Sequence, residues 1–300
     1  MTKNVPHMIK SFLLPVVGFL AGAEFTLAAL PFSDGFNNND PVRTDSQSPI
    51  DSPYWNRFPN SVTPGGSQVT ELGGMLQLIA RGQTTADLFG TAVTPDFNFF
   101  NGPITFSISG FSLASSGSGP TPTGAEQQFR FVVQSDANVI QSSVFSGIGL
   151  LINGANQIQF GRRIGGSGNV EQSQVLVPLT TVNLSNGAIN GFTLTLDATN
   201  YQLTITQTGG PGASFSGPHG VAQGNWIPNA ATGNSTVSFE SFNGAAADSV
   251  NLLNNTLVTA SIDQFDVIVV PEPGTWALMA CGAGLLISVQ RFRRSTHKRS

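Results

Sequence analysis

The chain has 300 residues, of which only 10% are charged, and its formal net charge is -4. The body of the chain, without residues 1–29 and 270–300, holds six basic and fifteen acidic residues and no lysine. Such a body argues against nucleic-acid or polyanion binding, because phosphate contacts need clustered cations.

Cysteine and histidine are scarce. Cys281 is the only cysteine, and it lies in an apolar stretch near the C-terminus. The body therefore has no disulfide, no thiol nucleophile and no cysteine-ligated metal. His219 is the only histidine outside the two ends, so a Ser-His-Asp triad would have to use it. Its surroundings, SGPHGVAQG, predict a solvated loop.

The N-terminus has the pattern of a secretory signal peptide. Lys3 and Lys10 flank the start of the apolar run SFLLPVVGFLAGA, which ends in small residues. The sequence predicts a signal helix over residues 1–29 that is removed on export. Cleavage follows Ala23 or falls near Ala28 and Ala29, and the sequence leaves this choice open.

The body, residues 30–269, is rich in strand signals and almost free of helix signals. Alternating segments with one apolar and one hydroxyl-rich face predict two antiparallel sheets packed face to face in one domain. Residues 115–124, SSGSGPTPTG, are the most linker-like and are interpreted as a long surface loop, for which the alternative is a linker between two domains. The predicted strands lie in the segments GMLQLIAR, ITFSIS, QQFRFVVQ, IGLLING, QIQFGRR and TVSFESF.

Two local patterns are more specific. GFTLTLDATNYQLTITQ predicts a hairpin, with Asp197 to Asn200 as the turn between two alternating strands. In LVTASIDQFDVIVV the apolar positions change phase at Asp263 and Gln264, which predicts a β-bulge or bend there. The phenylalanines, at period-2 positions, are predicted core residues.

The closing Ile-Asp-x-Phe-x-Val, the opening FSDGFNNND with PYWNRF, and the hairpin resemble concanavalin A-like lectin/glucanase jelly rolls. The resemblance covers nearly the whole body. It implies a jelly-roll β-sandwich. It also implies a structural calcium held by Asp34 and Asp263, for which the alternative is that each is a turn or bulge residue.

Glucanases of this fold carry Glu-x-Asp-x-Glu on one strand, where paired carboxylates act as nucleophile and general acid. This sequence has no such run, and Glu240 is expected to stand alone, although carboxylates from different strands can still meet in space. Lyases of similar fold imply Arg162, Arg163 and His219 as candidates, without a lysine. The prediction is a non-enzyme, with glycoside hydrolase or polysaccharide lyase as the alternative.

Sugar binding needs an aromatic platform and polar groups for the hydroxyls. Trp226, in the amide-rich loop QGNWIPN, is the first platform candidate, and its alternative is a loop tryptophan folded back as a core lid. Tyr54 and Trp55 are further candidates, although they are better explained as pinning the N-terminal segment onto the sandwich. No catalytic residue is predicted.

The C-terminus, residues 270–300, follows an unusual order. Pro271, Glu272 and Pro273 form a stiff spacer before an uncharged run of 15 residues, which is shorter than the roughly 20 residues of a full membrane span. The basic cluster that follows is expected to stay on the cytoplasmic side of the membrane. It comprises Arg291, Arg293 and Arg294, followed by Lys298 and Arg299.

Pro-Glu-Pro, the apolar run and the arginine cluster together resemble the bacterial PEP-CTERM sorting signal, over about the last tenth of the chain. The resemblance implies a short C-terminal transmembrane helix that anchors the protein transiently. It also implies recognition by a membrane protease, exosortase, and delivery to the cell surface or extracellular matrix.

The sequence thus predicts an exported all-β protein. Its body is a carbohydrate-binding-like module with exopolysaccharide as its candidate partner, or a structural matrix or biofilm component without a defined ligand. No nucleic acid is expected as a partner, and calcium is the one cofactor implied.

Overall fold

The computed structural model describes the body in twelve stretches, together with two residues of the tail. The segment 1–29 and the sorting tail, apart from Cys281 and Gly282, lie outside these residues, as do both predicted terminal helices. Within the described part of the chain, no helix is long and apolar enough to cross a membrane. The described residues are 32–36, 55–58, 67–82, 84–90, 97–117, 122–135, 145–166, 168–182, 187–208, 210–226, 235–244, 256–269 and 281–282.

The described strands form three antiparallel sheets. The six-stranded sheet has the order β1 (Phe32–Asp34), β17 (Gln264–Val269), β6 (Ile104–Ser109), β12 (Ile189–Leu196), β13 (Asn200–Gln207) and β14 (Gly210–Pro218). The seven-stranded sheet has the order β11 (Gln174–Thr181), β10 (Gln157–Arg163), β9 (Gly147–Asn153), β8 (Gln127–Gln134), β15 (Thr236–Asn243), β5 (Thr85–Gly90) and β2 (Trp55–Phe58). The four-stranded sheet has the order β3 (Gln68–Glu71), β4 (Leu76–Arg81), β16 (Leu257–Ile262) and β7 (Ser112–Ser116).

The few helical segments are short. Those of the described body are α1 (Val170–Ser173) and two 3₁₀ turns, Phe99–Asn101 and Gln223–Asn225. The described body is therefore an all-β structure, as the sequence predicts.

The core lies between the six- and seven-stranded sheets and is built largely from phenylalanine. Phe131 of β8 packs against Phe106 of β6 with ring centroids 5.7 Å apart. Phe239 of β15 meets Phe265 of β17 at 5.1 Å. Successive strand residues point to opposite faces, and most of the described phenylalanines reach this core, as predicted. Phe242 instead lies beside Arg130 on the outer face, and Phe145 belongs to a small separate cluster.

The predicted hairpin is confirmed. β12 and β13 pair antiparallel, and Leu196 stands opposite Tyr201. The Asp197 carboxylate accepts hydrogen bonds from the backbone N–H groups of Thr199 and Asn200, each at 2.7 Å. This side-chain cap fixes the turn, as expected of Asp at a turn start.

The phase change at the end of the body is also confirmed. β16 belongs to the four-stranded sheet and β17 to the six-stranded sheet, and Asp263 is the bend between them. The backbone N–H of Asp263 donates to the Ser109 carbonyl at 3.2 Å. Gly110, with φ +63, lies so close to the Asp263 side chain that a Cβ there would overlap it.

Some expectations from the sequence are wrong. Ser115 and Ser116 are part of β7, so the predicted loop over residues 115–124 begins later than expected. The sequence patterns also failed to indicate β3, β5 and β7. Two further strands that they missed are β11 and β14. These are edge strands that contain proline or several glycines, which are weak strand signals.

Candidate functional site

A row of charged side chains crosses the seven-stranded sheet on the face turned away from the core. Glu240 of β15 stands directly opposite Arg130 of β8 on one side and Asp87 of β5 on the other. Each alternates along its strand with core residues, such as Phe239 beside Glu240. Directly paired residues in a sheet have Cβ atoms about 5 Å apart, so the three side chains are neighbours.

Arg130 is the centre of this row. Its Nε donates to Glu171 Oε1 at 3.0 Å, its Nη1 pairs with Glu240 Oε1, and its Nη2 donates to Gln128 Oε1 at 2.7 Å. Its guanidinium also lies 5.6 Å from the centre of the Phe242 ring. Burial by itself would lower the pKa of Arg130, but the negative charges of Glu240 and Glu171 raise it above its ordinary value.

Asp87 and Glu240 form a carboxyl pair. Burial, together with the charge of Glu240, raises the pKa of Asp87 to about 8. Burial also raises the pKa of Glu240, although the adjacent Arg130 opposes this rise. Since Arg130 stabilises the carboxylate of Glu240, the proton resides on Asp87 at neutral pH. The pair is therefore an acid beside a carboxylate.

A short segment, Gly168–Ser173, lies over the same face of the sheet and carries Glu171. We call this segment the strap. It fits because strands β9 and β10 have glycine beneath it. A Cβ on Gly149 would lie 3.1 Å from the Val170 Cβ, and a Cβ on Gly161 would overlap the Glu171 carbonyl oxygen.

Several buried polar atoms on this face have no hydrogen-bond partner among the residues that the structure describes. In native proteins such atoms are uncommon, and each needs a water, an ion or a ligand to explain it. Ser238 lies between Glu240 and Thr236 on the outward face of β15, and Gln134 stands opposite Thr236. The unpartnered atoms are Asp87 Oδ1, Gln134 Oε1 and Nε2, Ser238 Oγ, Glu171 Oε2, and Arg163 Nε and Nη2.

Arg163 is the second arginine of the site. It is 1% exposed, stacks over the Phe145 ring at 3.9 Å, and donates through Nη1 to the Gly168 carbonyl of the strap. Burial lowers the pKa of Arg163, and the charge of Glu171 partly offsets this effect. Arg163 therefore helps to hold the strap while two of its donors stay unpaired.

Glu240 is the only carboxylate of its own strand, and the structure gives it one acidic and one basic neighbour from other strands, which is the alternative that the sequence left open. Period-2 alternation indicates that Glu240 faces away from Phe239. It does not indicate which strands lie on either side of β15, because that depends on long-range pairing. The sequence therefore gave no signal for Asp87 or for the strap.

Trp226 corresponds to the alternative reading, a tryptophan folded back onto the core. It is 4% exposed, and its ring packs against Phe99 with centroids 4.7 Å apart. Its Nε1 donates to Ser235 Oγ at 2.8 Å. With both the ring and the N–H engaged inside the protein, Trp226 presents no open face to a sugar.

Trp55 is fully buried and pins the N-terminal segment, as the sequence analysis favoured. Its ring lies 5.5 Å from that of Phe239, and its Nε1 donates to Asp34 Oδ2 at 2.7 Å. It offers no platform either. Tyr54 lies outside the described residues.

The two aspartates implied as calcium ligands have different surroundings. Asp34 is buried, and its carboxylate oxygens accept from Trp55 Nε1 and from the Phe36 backbone N–H at 2.9 Å. Asp263 is exposed at the bend. In the part of the chain that the structure describes, no three acidic, histidine or cysteine side chains gather as a metal site. The described residues around Asp34 and Asp263 do not supply the several oxygen ligands that calcium needs.

His219 is buried, contrary to the solvated loop residue expected. Its Nδ1 accepts from the Val221 N–H at 3.0 Å and its Nε2 lies 2.9 Å from the Asp197 carbonyl, which makes Nε2 the protonated nitrogen. Burial lowers the pKa of His219. Arg162 donates to the His219 carbonyl at 2.6 Å, away from the charged row. These contacts give both residues a structural role.

The sorting residues lie outside the described part of the chain. They are Pro271, Glu272, Pro273, Arg291, Arg293 and Arg294.

No protein-family model and no curated protein sequence matches the chain. Solved structures do resemble it. The exoplasmic/lumenal domain of VIP36, in its metal-free form, has a TM-score of 0.50 and 9% identity, with 76% of this chain and 90% of that one covered. This similarity shows the fold alone, which is the concanavalin A-like lectin/glucanase jelly roll.

Two further structures are more distant. The basic winged bean lectin, solved with Tn-antigen, has a TM-score of 0.46 and 11% identity, covering 81% of this chain and 99% of that one. The Bacillus licheniformis β-glucanase has a TM-score of 0.43 and 13% identity, covering 79% and 97%. A fold by itself does not decide between sugar binding and catalysis.

Proposed function

We propose that this is an exported cell-surface or matrix protein whose β-sandwich binds carbohydrate without cleaving it, at the charged row of the seven-stranded sheet. The tail, with Pro271, Glu272 and Pro273 as its recognition motif, delivers the protein through an exosortase. Arg291, Arg293 and Arg294 hold the anchor until then.

The observation that carries this proposal is the set of unpartnered polar atoms beside the row. A sugar hydroxyl both donates and accepts, so it can satisfy the Ser238 hydroxyl and the Gln134 amide at once. Carboxylates and arginines, such as Glu240 and Arg130, give stronger charge-assisted bonds to the same hydroxyls. Displacement of the strap withdraws Glu171 from Arg130 Nε and so frees that donor for the sugar.

Ser238→Ala tests this site in the full-length protein. Removing an unpartnered buried hydroxyl raises stability or leaves it unchanged, because no internal hydrogen bond is lost. The same change weakens sugar binding by roughly tenfold, the value of one good hydrogen bond. Ser241→Ala is the control, since Ser241 lies on the opposite face of β15 and donates to the Val258 carbonyl at 3.4 Å.

The measurement is titration of a panel of bacterial and plant oligosaccharides by calorimetry, with thermal melting for each variant. The proposal predicts a saturable ligand for the wild type, weaker binding by Ser238→Ala, and unchanged binding by Ser241→Ala. A folded wild type that binds nothing on the panel would instead favour the structural matrix role. Equal binding by all three proteins would place the sugar elsewhere.

One observation favours a second candidate, glycoside hydrolysis. Glycosidases use two carboxyl groups of unequal ionisation, and Asp87 beside Glu240 is such a pair. Release of reducing sugar by the wild type, lost in Asp87→Asn and in Glu240→Gln, would establish the enzyme. Binding without release would establish the non-catalytic module.

The sorting part is tested in a bacterium that contains an exosortase. Glu272→Ala should leave the protein in the membrane fraction, whereas the wild type reaches the surface or the medium. Glu24→Ala is the matched control near the other end of the chain. Identical distribution of wild type and Glu272→Ala would contradict the sorting proposal.

A further inference from the structure

Glu171 occupies an arginine-lined position on the outer face of the seven-stranded sheet. Its side chain is completely buried, and Oε1 accepts from Arg130 Nε at 3.0 Å. Arg163 lies close enough for the charge of Glu171 to influence its pKa. The position therefore holds one carboxylate paired with Arg130, and the second buried guanidinium, Arg163, binds the same strap through the Gly168 carbonyl.

The fit of Glu171 to this position is incomplete. Its Oε2 is buried without a partner, and Arg163 keeps Nε and Nη2 unpaired. A guanidinium forms its strongest contacts with a carboxylate through two parallel hydrogen bonds, which Glu171 does not make here. The carboxylate of a separate ligand is not restrained by the strap backbone, so it can pair with more of these donors.

The strap that delivers Glu171 rests on the outer face of β9, β10 and β11 and is not part of the main core. Its helix, Val170–Ser173, has four residues, and the Asn169 side chain makes no capping hydrogen bond. Helices this short have no stability of their own. Val170 packs in a small separate cluster with Val132 and Phe145, apart from the main core. Displacing the strap would therefore disturb little of the sandwich.

We propose that Glu171 is an internal stand-in for a ligand, and that the site takes the carboxylate of an acidic sugar, such as a uronic acid, in its place. This inference rests on the proposed function, because it names the class of sugar bound at that site. When the strap is displaced, Arg130 and Arg163 receive the sugar carboxylate. Gln134 and Ser238 then pair with its hydroxyls.

The acidity of the body limits the ligand to short oligosaccharides. The body has fifteen acidic and six basic residues, which repels a long polyanion while leaving a single local carboxylate bound. The probe is therefore trigalacturonate, measured at physiological salt. Its methyl ester is the matched ligand, because it keeps every hydroxyl and lacks the charge.

The test compares the full-length wild type with Glu171→Gln by calorimetry. The substitution removes the internal carboxylate and leaves both guanidinium groups, so trigalacturonate should bind roughly tenfold tighter than to the wild type, as expected for one charge-assisted interaction. The methyl ester should gain less than twofold. Ser173→Ala, an exposed change in the same strap, should behave as the wild type.

Gly168→Ala weakens the seated strap while adding no side chain that contacts the site. Gly168 has φ +100, where a side chain strains the backbone, and no atom lies within 4 Å of the added Cβ. The strain weakens the seated strap, so trigalacturonate should again bind tighter. This variant decides the question if Glu171→Gln does not fold.

Equal gains for trigalacturonate and its ester, or no gain in folded variants, would overturn the inference. If neutral oligosaccharides still bind the wild type in that case, the proposed function survives and only the acidic-sugar inference fails. If neither the wild type nor the variants bind any sugar, both fail.

Discussion

At the scale of single residues, the charged row is unusual because its members are buried yet poorly matched to one another. Arg130 contacts two carboxylates, whereas Asp87 has only the Thr85 hydroxyl, at 3.3 Å, as a donor to its Oδ2. A structural ion cluster would pair its members fully, because an unpaired buried group is costly. The imbalance is what indicates a binding role.

Asp87 makes stability depend on pH. Its folded pKa of about 8 is above the ordinary value of 3.8, so the folded state holds the proton more strongly. The stability that this proton binding adds to the folded state is fully present below about pH 4. It is lost as the pH rises towards 8, by at most roughly 1.4 kcal/mol per pH unit. Asp87→Asn mimics the protonated form, so the free energy of unfolding of this variant should decrease less as the pH rises.

The measurement is the free energy of unfolding from pH 5 to pH 9, by urea titration. Asp266→Asn is the control, because Asp266 is a half-buried aspartate on β17 of the other sheet. A wild-type profile as flat as that of Asp87→Asn would show that Asp87 is ionised throughout this range.

At the scale of elements, local patterns were predictable and long-range ones were not. The hairpin from Ile189 to Gln207 is specified by alternation and by the Asp197 turn, all within one short segment. The pairing of β15 with β5 and β8 depends on contacts between residues far apart in sequence, which leave no local pattern. The charged row through Glu240 therefore could not be predicted without the strand order of the sheet.

The strap is a second element that sequence patterns could not reveal. Its helix is too short for a helical period, and its seat depends on glycines in two other strands. We expect Gly161→Ala to displace it, because the new Cβ would overlap the Glu171 carbonyl oxygen. The expected loss of stability is roughly 1–3 kcal/mol, as for other overpacked sites.

Hydrogen exchange of the strap amides, with thermal melting, measures this effect. Gly224→Ala is the control, because no atom lies within 4 Å of a Cβ there. Faster exchange confined to Gly168–Ser173 and its neighbours supports the strap as a separate unit. Unchanged exchange and melting in Gly161→Ala would contradict the close seating of the strap.

At the scale of the whole molecule, the aromatic core between two sheets explains why the fold could be predicted from composition and period. A sandwich with alternating phenylalanines needs no disulfide or metal to close its core, and none of the body's residues is cysteine. The chemistry of the site was less predictable. Trp226, the candidate chosen by residue type, turned inward, whereas the unpartnered polar atoms could be recognised only from the packed sheet.

The implied calcium gives a further prediction at this scale. The surroundings of Asp34 and Asp263 do not fit a calcium site, so excess calcium or chelator should shift the melting temperature of the full-length protein by less than about 1 °C. A ligand bound only by the folded state would stabilise it in proportion to the logarithm of its concentration. A melting temperature that rises steadily with calcium would show a site that this account lacks.

The most direct measurement of the central claim is a crystal structure of the full-length protein soaked or co-crystallised with an oligosaccharide ligand. The account predicts sugar on the outer face of the seven-stranded sheet, hydrogen-bonded to Ser238, Gln134 and Arg130, with the strap displaced. A sugar bound at another surface, with Glu171 still paired to Arg130, would contradict it.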